Sequence, residues 1–330
     1  MKKILIVGAS GFIGGFLVEE ALNRGYEVYA GIRSTSNRQY LSDKRIKFLE
    51  LKLSDKSNLK QKIKDFGRFD YVIHNAGLTK SCKKSAFEQV NFQYTKNLTE
   101  AFIETENIPD KFIYVSSLDA FGSGNEETMQ AIKLSDKPNP QTLYGKSKLK
   151  TESYLNSLNG FPNIIIRPTG VYGPRDKGYY LVYKSIKNGI ETYIGSRKQV
   201  ISFIYVKDLA RLVFDAAQSE ISNKAYFISD LRKYTTEEFN QIVKKELNKK
   251  ALRIVFPKAV VKILSFIIGN LSCLFGKPAI LNTEKYKIIS AGNWYCDSSD
   301  IVKDFGFKPE YDLKKGIKET ITWFKEQKLL

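Results

Sequence analysis

A tyrosine and a lysine stand four residues apart in the segment 144–148, Tyr-Gly-Lys-Ser-Lys. If this segment is helical, both side chains leave the same face and their polar ends can approach each other. A free tyrosine has a pKa of about 10 and is a poor acid or base at neutral pH. We expect the charge of Lys148 to lower the pKa of Tyr144, so that the phenol exchanges a proton with an alcohol oxygen. The alternative is a solvated helix face that carries Lys146, Lys148 and Lys150.

A glycine-rich turn follows the first apolar run of the chain. Residues 4–7 are Ile-Leu-Ile-Val, as in a strand that is buried on both faces, and the turn contains Gly8, Gly11 and Gly14. Residues 12–24 then predict an amphipathic helix. This strand, turn and helix predict a dinucleotide site, because the glycines admit a pyrophosphate and the helix N-terminus stabilises its charge.

The end of the second predicted strand bears on the choice between NAD and NADP. Residues 27–32 predict this strand, and Arg33 follows it with a run of hydroxyl residues at positions 34–36. An acidic side chain here would bind the ribose 2′-hydroxyl and select NAD. A cation with hydroxyls suits a 2′-phosphate, so the sequence favours NADP over NAD. A solvated loop is the alternative interpretation of Arg33.

Strands and helices continue to alternate through much of the chain, which predicts an α/β fold with a Rossmann doubly wound parallel sheet. Ser117 comes just after the fifth strand, at the edge where such sheets bind their ligands. The further predicted strands are residues 46–51, 69–74, 112–115, 164–167, 202–206 and 225–229, and the predicted helices include residues 91–105, 144–158 and 207–218.

The later part of the chain departs from this alternation. Residues 168–175 are too rich in glycine and proline for regular structure, and residues 235–238, Thr-Thr-Glu-Glu, predict the start of a helix among further helices and loops. We expect two domains. They are an NAD(P)-binding Rossmann domain over residues 1–167, to which residues 202–229 return, and a smaller, mostly helical C-terminal substrate-binding domain over residues 168–201 and 230–330.

The composition is that of a globular protein with a strong excess of basic side chains. Hydrophobic residues make up 42% of the 330 residues, and the formal net charge is +18. The basic residues are scattered and are not interleaved with stacking aromatics, so we expect no nucleic-acid partner. The single histidine, His74, cannot build a metal cluster or a serine triad and is expected to be structural. The four-residue apolar run near the start predicts a strand and not a signal peptide. The three cysteines, Cys82, Cys273 and Cys296, are few, odd in number and far apart, a pattern that predicts reduced thiols, and we expect a cytoplasmic protein.

One late segment, residues 257–276, is unusually apolar. Its charge-free run between Lys262 and Lys277 is shorter than the ~20 residues that span a bilayer. Three interpretations are open: a buried core helix, the apolar wall of a substrate pocket, or a helix on a membrane surface beside basic residues. The first two are favoured, and the third would make a peripheral membrane contact.

With these motifs the chain resembles the extended short-chain dehydrogenase/reductase superfamily, also called the NAD-dependent epimerase/dehydratase family. The resemblance covers nearly the whole chain. It implies that Tyr144 exchanges a proton while a hydride passes between nicotinamide and a carbinol carbon. The matching residues are Gly8, Gly11 and Gly14, the run from His74 to Gly77, Asn91, Ser116 and Ser117, Tyr144 with Lys148, Arg167 with Pro168, residues 171–174 and residues 205–208.

The resemblance also implies roles for single residues. Ser117, five residues before Gly122, would orient the substrate oxygen, Lys148 would hold the nicotinamide ribose, and Asn91 would support the lysine through water. The expected catalytic residues are therefore Ser117, Tyr144, Lys148 and Asn91. With the glycine turn, the expected cofactor-binding residues are Gly8, Ser10, Gly11, Phe12, Ile13, Gly14, Arg33, Leu53, Asn75, Ala76, Gly77, Tyr144, Lys148, Pro168 and Val171. The expected substrate-binding residues are Asp119, Thr169, Gly170 and Phe203; for Asp119 a supporting or solvated carboxylate is the alternative.

Two departures from the family pattern concern the substrate. Sugar-nucleotide members commonly have an asparagine where this chain has Gly170, and a diphosphate-binding arginine where it has Ile201. The candidates to replace that arginine are Arg197, Lys198 and Arg232.

The pattern is more similar to the branch of 3-beta-hydroxysteroid dehydrogenases and dihydroflavonol reductases, whose substrates are bulky and apolar. Gly170, Arg33 and the apolar segment 257–276 carry this similarity.

Three functions follow from these observations. The leading hypothesis is an NADP-preferring oxidoreductase that interconverts a hydroxyl and a ketone on an apolar small molecule, steroid-like or lipid-linked. The second is a nucleotide-sugar epimerase or dehydratase with tightly bound NAD. The third, a non-catalytic NAD(P)-binding scaffold or sensor, is disfavoured because Ser117, Tyr144 and Lys148 are all present. Homodimers that form through a pair of helices are common in the family. A homodimer is therefore an alternative to a monomer for this protein.

Overall fold

The computed structural model describes residues 1–195 and 199–330. The strands are β1 (Lys3–Val7), β2 (Glu27–Ile32), β3 (Lys47–Glu50), β4 (Tyr71–His74), β5 (Lys111–Val115), β6 (Asn163–Pro168), β7 (Gly170–Tyr172), β8 (Ile190–Ile194), β9 (Val200–Ile201), β10 (Phe203–Tyr205), β11 (Lys224–Ile228), β12 (Tyr234–Thr235), β13 (Leu252–Phe256) and β14 (Asn293–Trp294). The helices are α1 (Phe12–Asn23), α2 (Lys56–Phe66), α3 (Ser85–Phe87), α4 (Tyr94–Glu104), α5 (Leu143–Asn156), α6 (Lys177–Lys187), α7 (Val206–Gln218), α8 (Thr236–Leu247), α9 (Lys258–Leu274), α10 (Thr283–Ser290), α11 (Ser299–Phe305) and α12 (Leu313–Glu326).

The largest sheet in the described residues has seven strands in the order β11-β6-β5-β4-β1-β2-β3. The strands from β6 to β3 pair in parallel, and β1 lies between β2 and β4. Its residues 4–7 are wholly buried, as a strand covered on both faces requires. The predicted Rossmann sheet is therefore confirmed, and the bounds of its seven strands match the prediction to within two residues at each end. The strand predicted at residues 202–206 is β10, which does not join this sheet but pairs with β7 in the second unit.

The chain forms two compact units. The first comprises Met1–Ala120, Leu143–Arg167 and Leu209–Tyr226. Its core joins strand residues such as Leu5 and Phe112 to helix residues such as Leu59, Phe102 and Leu155. Strands β1, β4 and β5 end at the same edge of the sheet because they are parallel, so the turns that follow them meet there.

The second unit comprises Phe121–Thr142, Pro168–Asp208 and Phe227–Leu330. Its helices accompany small sheets with the strand orders β10-β7, β12-β9-β14 and β13-β8. An aromatic core that includes Tyr172, Tyr183, Phe203, Phe239 and Phe324 holds it together. Helix α8 starts as predicted, because Thr235 and Glu238 form a capping box in which each side chain accepts a hydrogen bond from the other residue's backbone N–H. The assignment of the two units to cofactor and substrate stays a prediction.

The structure corrects three local expectations. Residues 168–175, predicted to be irregular, contain β7, which pairs in parallel with β10. The helix predicted to begin at Asn91 begins earlier, because α3 leads into a π-helical turn over Glu88–Gln93 that joins α4. The strands β12, β13 and β14 lie in the region predicted to have helices and loops only. Such short strands depend on pairing with distant residues and have little local signal.

The apolar segment 257–276 forms α9, but the expectation of a buried core helix is wrong. Phe266 is 60% exposed and Leu274 is 80% exposed, whereas the buried residues of this helix are Val261 and Ser265. In the two described ranges, no helix is both long and apolar enough to cross a membrane.

Candidate active site

Ser117 and Tyr144, which are far apart in the sequence, meet in the first unit. Ser117 lies between the end of β5 and a 3-10 turn over Leu118–Ala120, and Tyr144 lies in the first turn of α5. A hydrogen bond joins the Ser117 hydroxyl to the Tyr144 phenol. The Ser117 Oγ also accepts a hydrogen bond of 3.2 Å from the Asp119 backbone N–H, which fixes its direction.

Gly145 explains how α5 approaches the turn after β5 so closely. A Cβ atom at this position would overlap the carbonyl oxygen of Asp119 and lie 3.1 Å from its carboxyl carbon. Because glycine has no Cβ, the helix can pack directly on the turn. The glycine after the tyrosine therefore helps to bring Tyr144 beside Ser117.

Lys148 is almost fully buried, with 2% of its surface exposed. Its Nζ donates a hydrogen bond of 2.8 Å to the Val115 carbonyl oxygen and lies 4.5 Å from the centre of the Tyr114 ring. Its distance to the centre of the Tyr144 ring is 5.9 Å. Burial lowers the pKa of Lys148 to about 7, an effect that the charge of Glu152 partly opposes.

The expectation that Lys148 lowers the pKa of Tyr144 is wrong for this structure. Burial raises the pKa of the Tyr144 phenol above its ordinary value, the carboxylate of Asp119 raises it further, and the hydrogen bond with Ser117 lowers it only in part. Lys148 is itself desolvated and is only partly charged near neutral pH, so it offers little positive charge. The phenol of this site is held in its protonated form.

Asn91 lies in the π-helical turn and is 1% exposed. Its side chain accepts a hydrogen bond from the Leu78 N–H at 2.7 Å and donates one to Ser147 Oγ at 2.9 Å. A Cβ atom at Gly77 would lie 3.4 Å from both Asn91 Oδ1 and Lys148 Nζ. Asn91 thus fixes the loop after β4 and the helix that carries Lys148, and its support of the lysine through water stays a prediction.

The sequence analysis missed a buried ion pair behind the site. Arg167 Nε and a terminal nitrogen donate to the carboxylate of Glu152 at 2.9–3.1 Å, and Ser116 donates its hydroxyl hydrogen to the same carboxylate. Glu152 is 1% exposed and Arg167 is 7% exposed. The pair joins α5 to β6 while Ser116 joins it to the residue before Ser117. The available signal was Glu152 itself, one helical turn after Lys148 and so on the same helix face.

The glycine turn after β1 is built by close contacts between backbones. Gly8 has a φ of +86°, and a Cβ atom there would lie 2.7 Å from the Ala76 nitrogen. A Cβ atom at Gly14 would overlap the Gly8 carbonyl oxygen. Gly11 is the residue before α1, and a Cβ atom there would meet only the Gly8 oxygen, at 3.4 Å. The absence of a Cβ at Gly8 and at Gly14 therefore lets the backbone segments of the turn contact each other. The outer side of the turn at Gly11 is not covered by such contacts.

This turn fits the pyrophosphate of a dinucleotide. The backbone N–H groups of the first turn of α1, at Phe12, Ile13 and Gly14, have no partner within the helix and carry its positive end. With Ser10 and Gly11 they would hold the phosphates.

The other expected cofactor residues of the first unit lie at strand ends. Asn75 follows β4 and donates its N–H to the Val7 carbonyl at 2.9 Å, next to Ala76 and the exposed Gly77. The Leu53 carbonyl accepts a hydrogen bond of 2.9 Å from Asn97. Arg33 follows β2 with an exposed side chain.

The remaining expected residues belong to the second unit. Pro168 ends β6, Thr169 donates its N–H and hydroxyl hydrogen to the Ile228 carbonyl at 3.1 Å each, and Val171 pairs with Ile204. Phe203 is 1% exposed and stacks on Phe239 with 5.2 Å between ring centres, so its ring packs in the core and offers no open surface for a substrate.

Gly170 and Ile201 are the two residues at which the chain departs from the pattern of the sugar-nucleotide members. A Cβ atom at Gly170 would lie 2.5 Å from the Tyr179 hydroxyl oxygen and 3.1 Å from the Phe203 ring. Ile201 pairs with Tyr234 on one side and with Trp294 on the other.

Three cations were candidates to replace the diphosphate-binding arginine. Arg232 lies 3.7 Å from the carboxylate of Asp312, in an exposed ion pair. Arg197 and Lys198 lie outside the described residues.

His74 is buried and neutral. Its Nε2 lies 2.8 Å from the Thr95 hydroxyl, and burial lowers the pKa of its imidazole to about 3. Across residues 1–195 and 199–330, no three or more His, Cys, Asp or Glu side chains are grouped in a way that could hold a metal ion.

Relatives with two different activities have similar sequences. The chain is 26% identical to the decarboxylating sterol-4-alpha-carboxylate 3-dehydrogenase of Dictyostelium discoideum, over 97% of this chain and 100% of that protein. It is 25% identical to the UDP-glucose 4-epimerase of Vibrio cholerae, over 98% of this chain and 95% of that protein.

The fold is similar to that of the Thermus thermophilus UDP-glucose 4-epimerase in complex with NAD. The TM-score is 0.77, at 22% identity over 98% of this chain and 99% of that chain. The model of the NAD dependent epimerase/dehydratase family matches residues 4–229. The chain therefore belongs to the NAD dependent epimerase/dehydratase family.

Proposed function

We propose that the protein is an NADP-preferring oxidoreductase that interconverts a secondary alcohol and a ketone on an apolar substrate, steroid-like or lipid-linked. The observation that carries this proposal is the enclosure of Gly170 by Tyr179 and Phe203. The asparagine that sugar-nucleotide members commonly have at this position would require the Tyr179 side chain to move.

Ser117, Tyr144 and Lys148 would perform the proton chemistry. The nicotinamide, when bound, supplies or accepts a hydride. Tyr144 donates a proton to the substrate oxygen in ketone reduction, and the raised pKa of its phenol keeps that proton in place until it is needed. The Ser117 hydroxyl, already hydrogen-bonded to the phenol, orients the same oxygen. The carboxylate of Asp119 raises the pKa of Tyr144, and the expected contact of Asp119 with the substrate stays a prediction.

The surroundings of the two departures support an apolar substrate. Gly170 is next to aromatic rings, and Ile201 lies between Tyr234 and Trp294 where the arginine for a diphosphate would be. A diphosphate in these apolar surroundings would lose hydration, a cost that only a nearby cation could offset; the candidates Arg197 and Lys198 lie outside the described residues. The sterol dehydrogenase among the relatives belongs to the same class of reaction.

Arg33 supports the preference for NADP. Its backbone N–H donates to Ser36 Oγ at 3.0 Å, and the Ser36 N–H donates to the Arg33 carbonyl at 3.0 Å, so the turn after β2 is fixed. The exposed guanidinium follows the strand end where an NAD-selecting carboxylate would lie. We expect Arg33→Asp to shift the ratio of kcat/KM for NADPH and NADH by about tenfold or more toward NADH.

The substrate class is tested by following NADPH oxidation with two panels. We expect saturable oxidation with steroid and flavonoid ketones, and no saturation with UDP-glucose or UDP-N-acetylglucosamine. Saturation by a UDP-sugar, with no turnover of any apolar ketone, would contradict the proposal.

A nucleotide-sugar epimerase is the second candidate, favoured by the similarity to the Vibrio cholerae enzyme. Such an enzyme oxidises its substrate and returns the hydride to the product, so it retains its NAD. Denaturing the purified protein and identifying the released nucleotide separates the two candidates. Stoichiometric NAD favours the epimerase, and an empty protein that binds added NADPH favours the oxidoreductase.

A further inference from the structure

Helix α9 exposes one continuous apolar stripe, which we call the α9 face. Its members are spaced at i, i+3, i+4, i+7, i+11 and i+14, so they fall within an arc of about 100° on the helix. Each is between 42% and 80% exposed. The members of the α9 face are Val260, Ile263, Leu264, Ile267, Leu271 and Leu274.

A different side of α9 packs within the second unit. Val261 and Ser265 are the buried residues of the helix, and a Cβ atom at Gly269 would lie 3.2 Å from the Asn282 side chain at the start of α10. The orientation of the helix is therefore set by these contacts, and the α9 face points to solvent.

The chain on both sides of α9 adds exposed apolar residues. In β13, Leu252 is 70% exposed and Phe256 is 37% exposed. After the helix, Phe275 is 82% exposed and Ile280 is 54% exposed. Monomeric soluble proteins rarely expose so many large apolar side chains in one stretch, and such stretches mark interaction sites.

The same stretch is strongly basic. Residues 249–290 have a net charge of +7, from eight basic side chains and the single acid Glu284. The basic residues are Lys249, Lys250, Arg253, Lys258, Lys262, Lys277, Lys285 and Lys287.

Ion pairs remove only part of this charge. Arg253 pairs with Glu237, and Lys258 lies 3.4 Å from Glu126. The carboxylate of Asp176 also lies within electrostatic reach of Lys285. Counting these three carboxylates and Glu284, the stretch keeps an excess of four positive charges. It therefore combines an apolar surface with a cationic one.

We propose that the α9 face binds the surface of an anionic lipid bilayer, with α9 lying in the plane of the interface. Apolar side chains enter the boundary between headgroups and acyl chains, and the surrounding lysines bind anionic headgroups. The charge argues against a second copy of this chain as the occupant, because a symmetric contact would bring two positive stretches together. This inference goes beyond the proposed function and does not depend on it.

Flotation of the full-length protein with vesicles tests the proposal. We expect binding to vesicles of equal parts phosphatidylcholine and phosphatidylglycerol, weaker binding to phosphatidylcholine alone, and a decrease as salt is raised. The double variant Ile267→Glu/Leu271→Glu should weaken binding about tenfold or more, because it places two charges in the apolar stripe. Leu329→Glu is the matched control, since Leu329 is 49% exposed and lies outside the stretch; it should leave binding unchanged.

A second variant and a second measurement keep the test decisive. Lys262→Glu/Lys277→Glu alters exposed charges only, so it should fold normally and lose the preference for anionic vesicles. Circular dichroism and thermal unfolding check the fold of each variant. The proposal is overturned if the wild-type protein binds neither vesicle, or if Leu329→Glu reduces binding as much as the double variant. It is also overturned if ultracentrifugation shows a dimer that the double variant abolishes while vesicle binding is absent.

Discussion

The surroundings of Lys148 and the α9 face depart from ordinary globular packing in opposite directions. Lys148 is a charged residue type that is 2% exposed, and Leu274 is an apolar residue that is 80% exposed. Globular proteins usually place these residue types the other way round. Both arrangements carry a cost in the isolated chain, from desolvation of an ammonium group in one and hydration of apolar surface in the other.

The two regions differ in how the protein holds its unusual residues. Lys148 is fixed by the Val115 carbonyl, and the Glu152–Arg167 pair lies behind it. Within the described residues, the α9 face has no such fixation of its own side chains; the orientation of the helix is set from its other side, by the buried Val261 and Ser265 and the close approach of Gly269 to Asn282. A polar site with fixed side chains can position the reacting atoms of a ligand accurately. An exposed apolar stripe can bind a lipid bilayer, which has no fixed surface structure. The predictions below test this contrast, beginning with the largest expected effect.

Tyr144→Phe should reduce kcat by about 10²- to 10⁴-fold, because it removes the proton donor and keeps the ring. Fluorescence titration should show NADPH binding close to that of the wild-type protein, since the glycine turn is unchanged. An unaltered rate would exclude Tyr144 from the mechanism.

Arg167→Met should lower the free energy of unfolding by about 3–5 kcal/mol, because it leaves the buried carboxylate of Glu152 without its partner. The matched control is Arg232→Met, which breaks the exposed pair with Asp312 and should cost less than about 1 kcal/mol. Urea denaturation followed by circular dichroism measures both. Equal losses in the free energy of unfolding would show that the buried Glu152–Arg167 pair stabilises the protein no more than the exposed Arg232–Asp312 pair.

Lys148→Met should abolish activity and yet stabilise the fold at pH 7, by about 1–2 kcal/mol. The folded protein lowers the pKa of Lys148 from 10.5 to about 7, so the unfolded chain binds the proton more tightly. The wild-type protein therefore gains stability as the pH rises from 7 toward 10.5, and the advantage of the variant shrinks over that interval. Thermal unfolding at pH 7 and pH 9.5 measures the difference in stability between the variant and the wild-type protein. A variant that is less stable than the wild-type protein at both pH values would contradict the claim that burial of Lys148 destabilises the fold.

The first unit could be predicted well from the sequence because its signals are local. The run Ile-Leu-Ile-Val before Gly8, and the spacing of Tyr144 and Lys148, are visible within a few residues. They led to the Rossmann sheet and to membership of the extended dehydrogenase family, both of which are confirmed. The roles of the individual site residues stay predictions.

Features that depend on distant parts of the chain could not be predicted. The Glu152–Arg167 pair needs α5 to lie against β6, and the pKa of Tyr144 needs the burial that this packing creates. The exposure of α9 was disfavoured in the sequence analysis for the same reason. An apolar composition shows that a helix can be buried, but only the surrounding fold decides whether another element covers it.

The smallest effect is expected from Val260→Asp, and it sharpens the contrast within a single helix. Val260 is 43% exposed, whereas its neighbour Val261 is 6% exposed. The first turn of α9 has no acidic residue, so an aspartate at position 260 meets the positive end of the helix and stays in water. Val260→Asp should change the free energy of unfolding by less than about 0.5 kcal/mol, while Val261→Asp should cost about 2–4 kcal/mol by burying a charge. A large loss at Val260 in urea denaturation would mean that the α9 face is covered in solution.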